Sequence, residues 1–135
     1  MNNSELISAA LEARERSYCP YSGFAVGAAL ECADGSIYLG CNIENSAFGP
    51  TVCAERTAFF KAVSDGKTDF AKIAVVGGKA GEVPYDYCPP CGVCRQVMQE
   101  FCKPDFEILI AKNANEYKSM TLAEILPLGF SKPEV

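Results

Sequence analysis

Short apolar runs typical of β-strands alternate with helical segments along this sequence, and that alternation limits the fold more than any other feature. The predicted helices are Ser4–Tyr18, Cys53–Ser64, Cys91–Phe101 and Leu122–Leu126, and the predicted strands are Phe24–Cys32, Ser36–Cys41, Phe70–Val76, Phe106–Ala111 and Tyr117–Met120. Strand–helix–strand order favours helices packed on both faces of one sheet. We therefore predict an α/β fold, a three-layer α/β/α sandwich with a mixed five-stranded sheet, formed by residues 1–135 as a single domain.

Several classes of protein are excluded or disfavoured by composition. The chain contains no histidine, so acid–base chemistry at neutral pH falls to a carboxylate, a thiol, a lysine, a tyrosine or a metal-bound water. A net charge of −5 without a Lys/Arg cluster argues against a nucleic-acid partner. No apolar run approaches the roughly 20 residues that span a bilayer, and the first residues do not resemble an export signal. We expect a cytoplasmic protein with no membrane partner.

Eight cysteines are many for such a chain. Because a reducing cytosol disfavours disulfides, we expect some of them to be metal ligands. Cys91 and Cys94 form a C-x-x-C pair at the start of a predicted helix, and that spacing lets two thiolates hold one zinc ion. The helix N-terminus also stabilises thiolate charge. Cys88 forms a second, overlapping C-x-x-C with Cys91. Tetrahedral zinc needs two more positions filled, by another cysteine, a carboxylate or water.

Cys53 is the best candidate for the third ligand, because it also opens a predicted helix. Three protein ligands leave a fourth position open, which is typical of catalytic zinc rather than structural zinc. Glu55, two residues after Cys53, can reach a water in that position. Arg56 can hydrogen-bond the sulfurs and draw off part of their negative charge.

These motifs resemble a known family. A ligand followed two residues later by Glu, and then by P-C-x-x-C, is the signature of the zinc nucleobase deaminases. The chain is similar, from its first helix to Phe130, to the small homotetrameric zinc-dependent cytidine deaminases. The segments that carry the resemblance are Phe24–Ala29, Asn42–Asn45, Cys53–Ala58 and Pro90–Gln96.

The resemblance implies a role for each matching residue. Cys53, Cys91 and Cys94 would bind one zinc ion per subunit, Glu55 would be the catalytic proton shuttle, and Arg56 would lie behind the ligands. The substrate would be held by the Ala54 N–H at the pyrimidine O2, by Asn42 and Glu44 at the ribose 3′-hydroxyl, and by Phe24 against the base.

The resemblance also implies a homotetramer whose sites are shared between subunits. Ser46 and Phe48 would come from one neighbouring subunit, and Phe130 from another would stack on the base. The chain departs from the family pattern at three positions. Phe48 replaces a frequent Tyr and loses its hydroxyl, Pro89 replaces a frequent Ser or Thr, and Cys88 is unusual beside the ligands.

The implied reaction is the hydrolytic deamination of free cytidine and 2′-deoxycytidine to uridine and 2′-deoxyuridine plus ammonia, as used in pyrimidine salvage. Zinc would lower the pKa of its bound water from 15.7 towards ~7, so that hydroxide attacks C4 of the base. Glu55 would take the proton of the water, pass it to N3, and then protonate the departing amine.

Three alternatives remain at this point. A blasticidin-type deaminase shares the fold and motif, but the pair Asn42 and Glu44 favours a nucleoside. A polynucleotide or tRNA deaminase is disfavoured by the net charge of −5. A structural zinc protein or a redox C-x-x-C protein would have no use for Glu55, and a four-cysteine site that included Cys88 would leave no open position.

Overall fold

The computed structural model describes residues 1–131. Its elements, in chain order, are α1 (Asn3–Arg14), β1 (Phe24–Cys32), β2 (Ile37–Cys41), α2 (Ala54–Ser64), β3 (Phe70–Lys79), α3 (Gly92–Phe101), β4 (Glu107–Asn113), β5 (Glu116–Thr121) and α4 (Leu122–Ile125). Among these described residues, no helix has the length and apolar character needed to span a membrane.

The five strands form one sheet in the order β2-β1-β3-β4-β5. The β3–β4 pair is parallel and the other pairs are antiparallel, so the predicted mixed five-stranded sheet is confirmed. Since β2 and β3 are both antiparallel to β1, they run in the same direction and end at the same edge of the sheet. The chain enters α2 after β2 and α3 after β3, and β1 begins at this same edge. One edge therefore collects two helix N-termini and the first residue of β1.

Helices cover both faces of the sheet, as predicted for three layers. On one face, α1 buries Leu6, Ile7 and Ala10 against strand residues that include Leu109. On the other face, α2, α3 and α4 pack on strand residues that include Ile108. Adjacent residues of a strand point to opposite faces, which is why Ile108 and Leu109 belong to different clusters.

An aromatic cluster holds α2 against α3 and the sheet. The ring of Phe59 in α2 lies 5.1 Å from that of Phe70, 6.4 Å from Phe101 and 6.1 Å from Phe106, measured between centroids. Phe59 has no solvent exposure. These contacts set the relative position of the two helices whose N-termini reach the edge described above.

Two predicted boundaries were wrong, and pairing to another part of the chain explains both. The first helix ends at Arg14, not Tyr18, because the Tyr18 N–H donates to Asn42 O at 3.0 Å and its carbonyl accepts from Glu44 N at 2.8 Å. Strand β3 runs to Lys79, not Val76, because Gly77, Gly78 and Lys79 continue the antiparallel ladder with β1. The other predicted elements agree within two residues at either end.

Two glycines let helices approach the sheet closely. A Cβ at Gly40 of β2 would lie 2.2 Å from Ala54 O and 2.6 Å from Ala58 N, so α2 packs directly on the strand backbone. A Cβ at Gly27 of β1 would lie 2.0 Å from Ala10 O, so α1 packs equally closely on the opposite face. Gly40 therefore sets how near the N-terminus of α2 comes to the edge of the sheet.

We expect Gly40→Ala to lower the free energy of unfolding by about 3 kcal/mol, the upper part of the range for overpacking, because the new methyl group meets backbone atoms that cannot rotate away. Urea denaturation followed by circular dichroism measures the change. Gly49→Ala is the matched control, because its Cβ would meet nothing nearer than Ala47 O at 3.9 Å. Equal midpoints for Gly40→Ala and the unmodified chain would contradict this packing argument.

Candidate metal and active site

Three cysteine sulfurs meet where α2 and α3 begin. Cys53 is the N-cap residue of α2, Cys91 is the N-cap residue of α3, and Cys94 lies in the first turn of α3. The Sγ atoms of Cys53 and Cys91 are 3.6 Å apart, and those of Cys91 and Cys94 are 3.4 Å apart. All three sulfurs lie within 4.8 Å of one another. The structure thus brings together the three cysteines that the sequence predicted as ligands.

The spacing of these sulfurs suits one zinc ion. Tetrahedral zinc with Zn–S bonds of about 2.3 Å places its sulfurs roughly 3.8 Å apart, close to the separations observed. Hydrogen bonds from Cys94 and from Arg56 lower the pKa of Cys53, so the thiolate form of Cys53 is favoured. Within residues 1–131, Cys88 does not belong to this group of mutually close donors. The alternative of a four-cysteine site that includes Cys88 therefore has no geometric support.

Glu55 is a buried carboxyl in the first turn of α2, beside the three cysteines. Its side chain is only 4% exposed, because α2 packs against the sheet at this point. Burial, and to a smaller extent the nearby charge of Cys53, raises the pKa of Glu55 to about 7. A carboxyl that titrates near neutral pH can both accept and donate a proton during a reaction.

The guanidinium of Arg56 lies behind the cluster. Its Nη2 atom donates to Cys53 Sγ at 3.4 Å, as the sequence predicted. Its Nε atom is buried and has no hydrogen-bond partner among the described residues. Arg56 therefore places positive charge next to the cysteine sulfurs.

Phe24 and Asn42 lie together at the same edge of the sheet. The Asn42 amide accepts from Val26 N at 2.9 Å and donates to Phe24 O at 2.8 Å, so Asn42 fixes the first residues of β1. The Phe24 side chain is 42% exposed. A side chain at Gly77 would collide with Cys88 Sγ and the Phe24 ring, which shows that Cys88 packs beside Phe24.

Glu44 is held by a turn that sequence analysis did not single out. Its carboxylate accepts from Tyr21 N at 3.1 Å and Ser22 N at 3.0 Å, and also from the Ser22 hydroxyl. The Ser22 hydroxyl lowers the pKa of Glu44, so the carboxylate stays charged. These residues line a pocket of about 390 Å³ together with Phe48 and Thr51. The signal in the sequence was the turn Pro20–Gly23 immediately before β1, but it does not reveal its partner at position 44.

The remaining predicted substrate residues differ in where they lie. The Ala54 N–H is at the start of α2, where a helix has no internal acceptor for it. Ser46 is in an exposed loop, and the side chains of Phe48 and Phe130 are 78% and 75% exposed. Of these, only Phe48 is placed in the pocket beside Glu44.

Comparisons with known proteins agree with this geometry. Residues 1–110 match the family described as the cytidine and deoxycytidylate deaminase zinc-binding region. Cytidine deaminase of Sporosarcina psychrophila is 49% identical over 135 residues, which cover 100% of this chain and 96% of that protein. A crystal structure of cytidine deaminase from Burkholderia pseudomallei matches with a TM-score of 0.87 at 44% identity, covering 96% of this chain and 100% of that one. Blasticidin-S deaminase of Bacillus cereus is 36% identical over 110 residues, covering 79% and 77% of the two chains.

The fold and the three-cysteine cluster define a zinc-binding deaminase site. The chain belongs to the cytidine deaminase family, in which the matched region binds zinc. Zinc is therefore the cofactor, and the single cluster of three cysteines in residues 1–131 supports one ion per chain.

We expect Cys91→Ala to lose most of its zinc, because removing one of three thiolates leaves too few ligands for tight binding. Metal analysis of the purified variant by inductively coupled plasma mass spectrometry gives the zinc-to-protein ratio. Cys88→Ala is the matched control, since Cys88 is three residues away in sequence but outside the cluster, and it should keep its zinc. Full zinc occupancy in Cys91→Ala would show that the ligand set is wrong.

Proposed function

We propose that residues 1–135 form one enzyme domain that hydrolyses free cytidine and 2′-deoxycytidine to uridine and 2′-deoxyuridine with release of ammonia. The observation that carries this proposal is the buried Glu55 carboxyl, two residues after Cys53 and beside the three-cysteine cluster. A structural metal site has no need for a buried carboxyl there. Family membership supports the reaction type.

In this proposal Cys53, Cys91 and Cys94 hold the zinc ion, and zinc supplies a Lewis acid that makes hydroxide available from water at neutral pH. Glu55 moves the protons. Its carboxylate takes one from the attacking water and delivers it to N3 of the cytosine, which makes C4 more electrophilic. Once the water oxygen has bonded to C4, Glu55 takes the remaining proton of that oxygen and donates it to the C4 amine. The C4–N bond then breaks, the C4 carbonyl forms and ammonia leaves. One residue serves first as base and then as acid, which suits a carboxyl with a pKa of about 7.

The pocket residues account for the preference for a nucleoside. Glu44 lines the pocket of about 390 Å³ and can accept a hydrogen bond from a ribose 3′-hydroxyl, and Asn42, which donates to Phe24 O, can donate its second amide hydrogen to the same hydroxyl. If only that hydroxyl is held, 2′-deoxycytidine is accepted as well as cytidine. Binding energy from the sugar then positions the base for reaction.

The same proposal places the enzyme in the cytoplasm, in pyrimidine salvage, without nucleic acid or membrane as a partner. None of the eight cysteines, all of which lie in residues 1–131, forms a disulfide, which suits a reducing compartment. The net charge of −5 disfavours a polynucleotide as substrate.

We expect Glu55→Gln to lower kcat for cytidine by about 10³-fold, within the range attributed to a positioned acid–base group, while zinc content and fold are retained. The loss of absorbance as cytidine becomes uridine measures the rate. Glu12→Gln is the matched control, because Glu12 is exposed on α1, and it should be fully active. Normal kcat in Glu55→Gln would refute the proposed mechanism.

The same assay with blasticidin S separates the proposed substrate from that of the blasticidin relative. The hold on Glu44 by Tyr21 and Ser22 favours a sugar hydroxyl as its partner. Faster turnover of blasticidin S than of cytidine would overturn the assignment of a nucleoside substrate.

The proposal includes a homotetramer with sites shared between subunits. Phe48 and Phe130 support it, since each exposes most of a large apolar side chain in the single chain. A second exposed apolar surface, lined by Ile43, Pro50, Val52 and Phe60, adjoins the loop that carries Phe48. Large exposed apolar patches of this kind are typical of protein–protein interfaces.

Shared sites predict complementation between two defective variants. Co-expressed Glu55→Gln and Phe130→Ala chains should be more active per milligram than the average of the two variants purified alone, because a Phe130→Ala subunit keeps Glu55 and borrows Phe130 from its neighbour. Glu55→Gln with Cys53→Ala is the control pair, since both residues are required from the same chain. Activity equal to the average in the first pair would show that sites are not shared.

A further inference from the structure

The segment that follows α4 lies along α3 and is held there by side chains of that helix. Gln96 Nε2 donates to Phe130 O at 2.9 Å, and Gln99 Nε2 donates to Ser131 Oγ at 2.5 Å. Arg95 Nη1 donates to Ile125 O at 2.7 Å. The segment is therefore attached to α3 both before and after its turn at residues 126–129.

The backbone of this segment also lies close to the Gln99 side chain. A Cβ at Gly129 would lie 2.8 Å from Gln99 Oε1 and 3.0 Å from Gln99 Cδ. The backbone at position 129 therefore rests directly on the Gln99 side chain, and only glycine fits there without movement of that side chain.

Leu128, between the attached points, has an unfavourable conformation. Its φ angle is 56°, in the left-handed region, which costs about 1–2 kcal/mol for a residue with a Cβ. Its side chain is fully exposed, so burial does not offset this cost within the chain. Backbone strain of this kind persists where neighbouring contacts enforce it and is frequent at functional positions. Here the enforcing contacts come from Arg95 on one side and Gln96 on the other.

The helix that holds this segment also begins at the cysteine cluster. Arg95 Nε donates to Pro90 O at 2.8 Å, immediately before Cys91, while its Nη1 holds Ile125. Gln96 is two residues after Cys94. A single rigid element thus links the proposed metal ligands to the backbone of Phe130.

We propose that Gln96 and Gln99 are positioning residues that fix the C-terminal segment on α3 and so set the direction in which Phe130 is presented to substrate. This inference rests on the substrate-stacking role of Phe130 in the proposed function. The two glutamines act on the backbone and on Ser131, so the Phe130 side chain remains free for its partner.

The kinetic test uses Gln96→Glu, which keeps the shape of the side chain but replaces the N–H donor with an acceptor that repels Phe130 O. We expect KM for cytidine to rise about 5-fold, the effect of one lost hydrogen bond, with kcat changed less than about 2-fold. In a Phe130→Ala background the same substitution should leave KM unchanged, since the residue through which it acts is gone. Glu100→Gln, on the same helix and exposed, is the matched control. Unchanged KM in Gln96→Glu, or an equal rise in both backgrounds, would overturn the proposal.

A second measurement does not depend on deamination. The chain contains six tyrosines but no tryptophan, so Phe130→Trp introduces one tryptophan, at the position in question, that can be excited apart from the tyrosines. Fluorescence anisotropy decay of the zinc-loaded protein should show more nanosecond motion of this tryptophan when Gln96→Glu or Gln99→Glu is added. Adding Glu100→Gln should not increase this motion. Equal motion in all variants would overturn the proposal. Absence of deamination by the unmodified chain, with the anisotropy change present, would instead refute the proposed function of Phe130.

Discussion

Everything at the candidate site depends on the convergence of two helix N-termini at one edge of the sheet. Because β2 and β3 run in the same direction on either side of β1, the helices that follow them begin close together. Their N-cap positions are Cys53 and Cys91, and a helix N-terminus favours negative charge. The fold itself therefore brings the three sulfurs together, with 3.4–3.6 Å between neighbouring Sγ atoms. Gly40 allows this, since a larger residue would push α2 away from the sheet.

The same packing gives Glu55 its unusual environment. Bringing α2 onto the sheet removes water from its first turn, and a carboxyl left there is destabilising unless it is neutral or paired. This destabilising burial serves the proton transfer proposed for Glu55, because it disfavours the charged form and so raises the pKa of Glu55 to about 7. Leu128 is a second position where a local rule is broken, with a left-handed backbone and an exposed apolar side chain. Departures of this kind are expected at functional positions rather than in the core.

The parts of the fold that sequence could predict are those with local causes. The pattern of apolar and polar residues, together with turn residues, predicted the strands and helices. The spacing of Cys53, Glu55, Cys91 and Cys94 predicted the cysteine cluster. Sequence failed where a backbone group bonds to a distant segment: Tyr18 pairs with residues 42–44 and ends α1 early. It failed in the same way for Ser22, which holds Glu44, and for Gln96 and Gln99, which hold residues 130 and 131. An exposed serine or glutamine looks like a solvated surface residue until its partner is known.

The distribution of exposed apolar side chains completes this argument. Glu55 and Cys94 are buried in the chain, whereas Phe48 and Phe130 are mostly exposed. The pocket of about 390 Å³ is bordered by the charged Glu44 and by Phe48, which is 78% exposed, so water reaches this pocket in the single chain. Deamination by general acid–base transfer works best when competing solvent is kept out. In the proposed homotetramer, the C-terminal segment fixed on α3 is the part of the chain that would supply a cover against solvent to a neighbouring subunit.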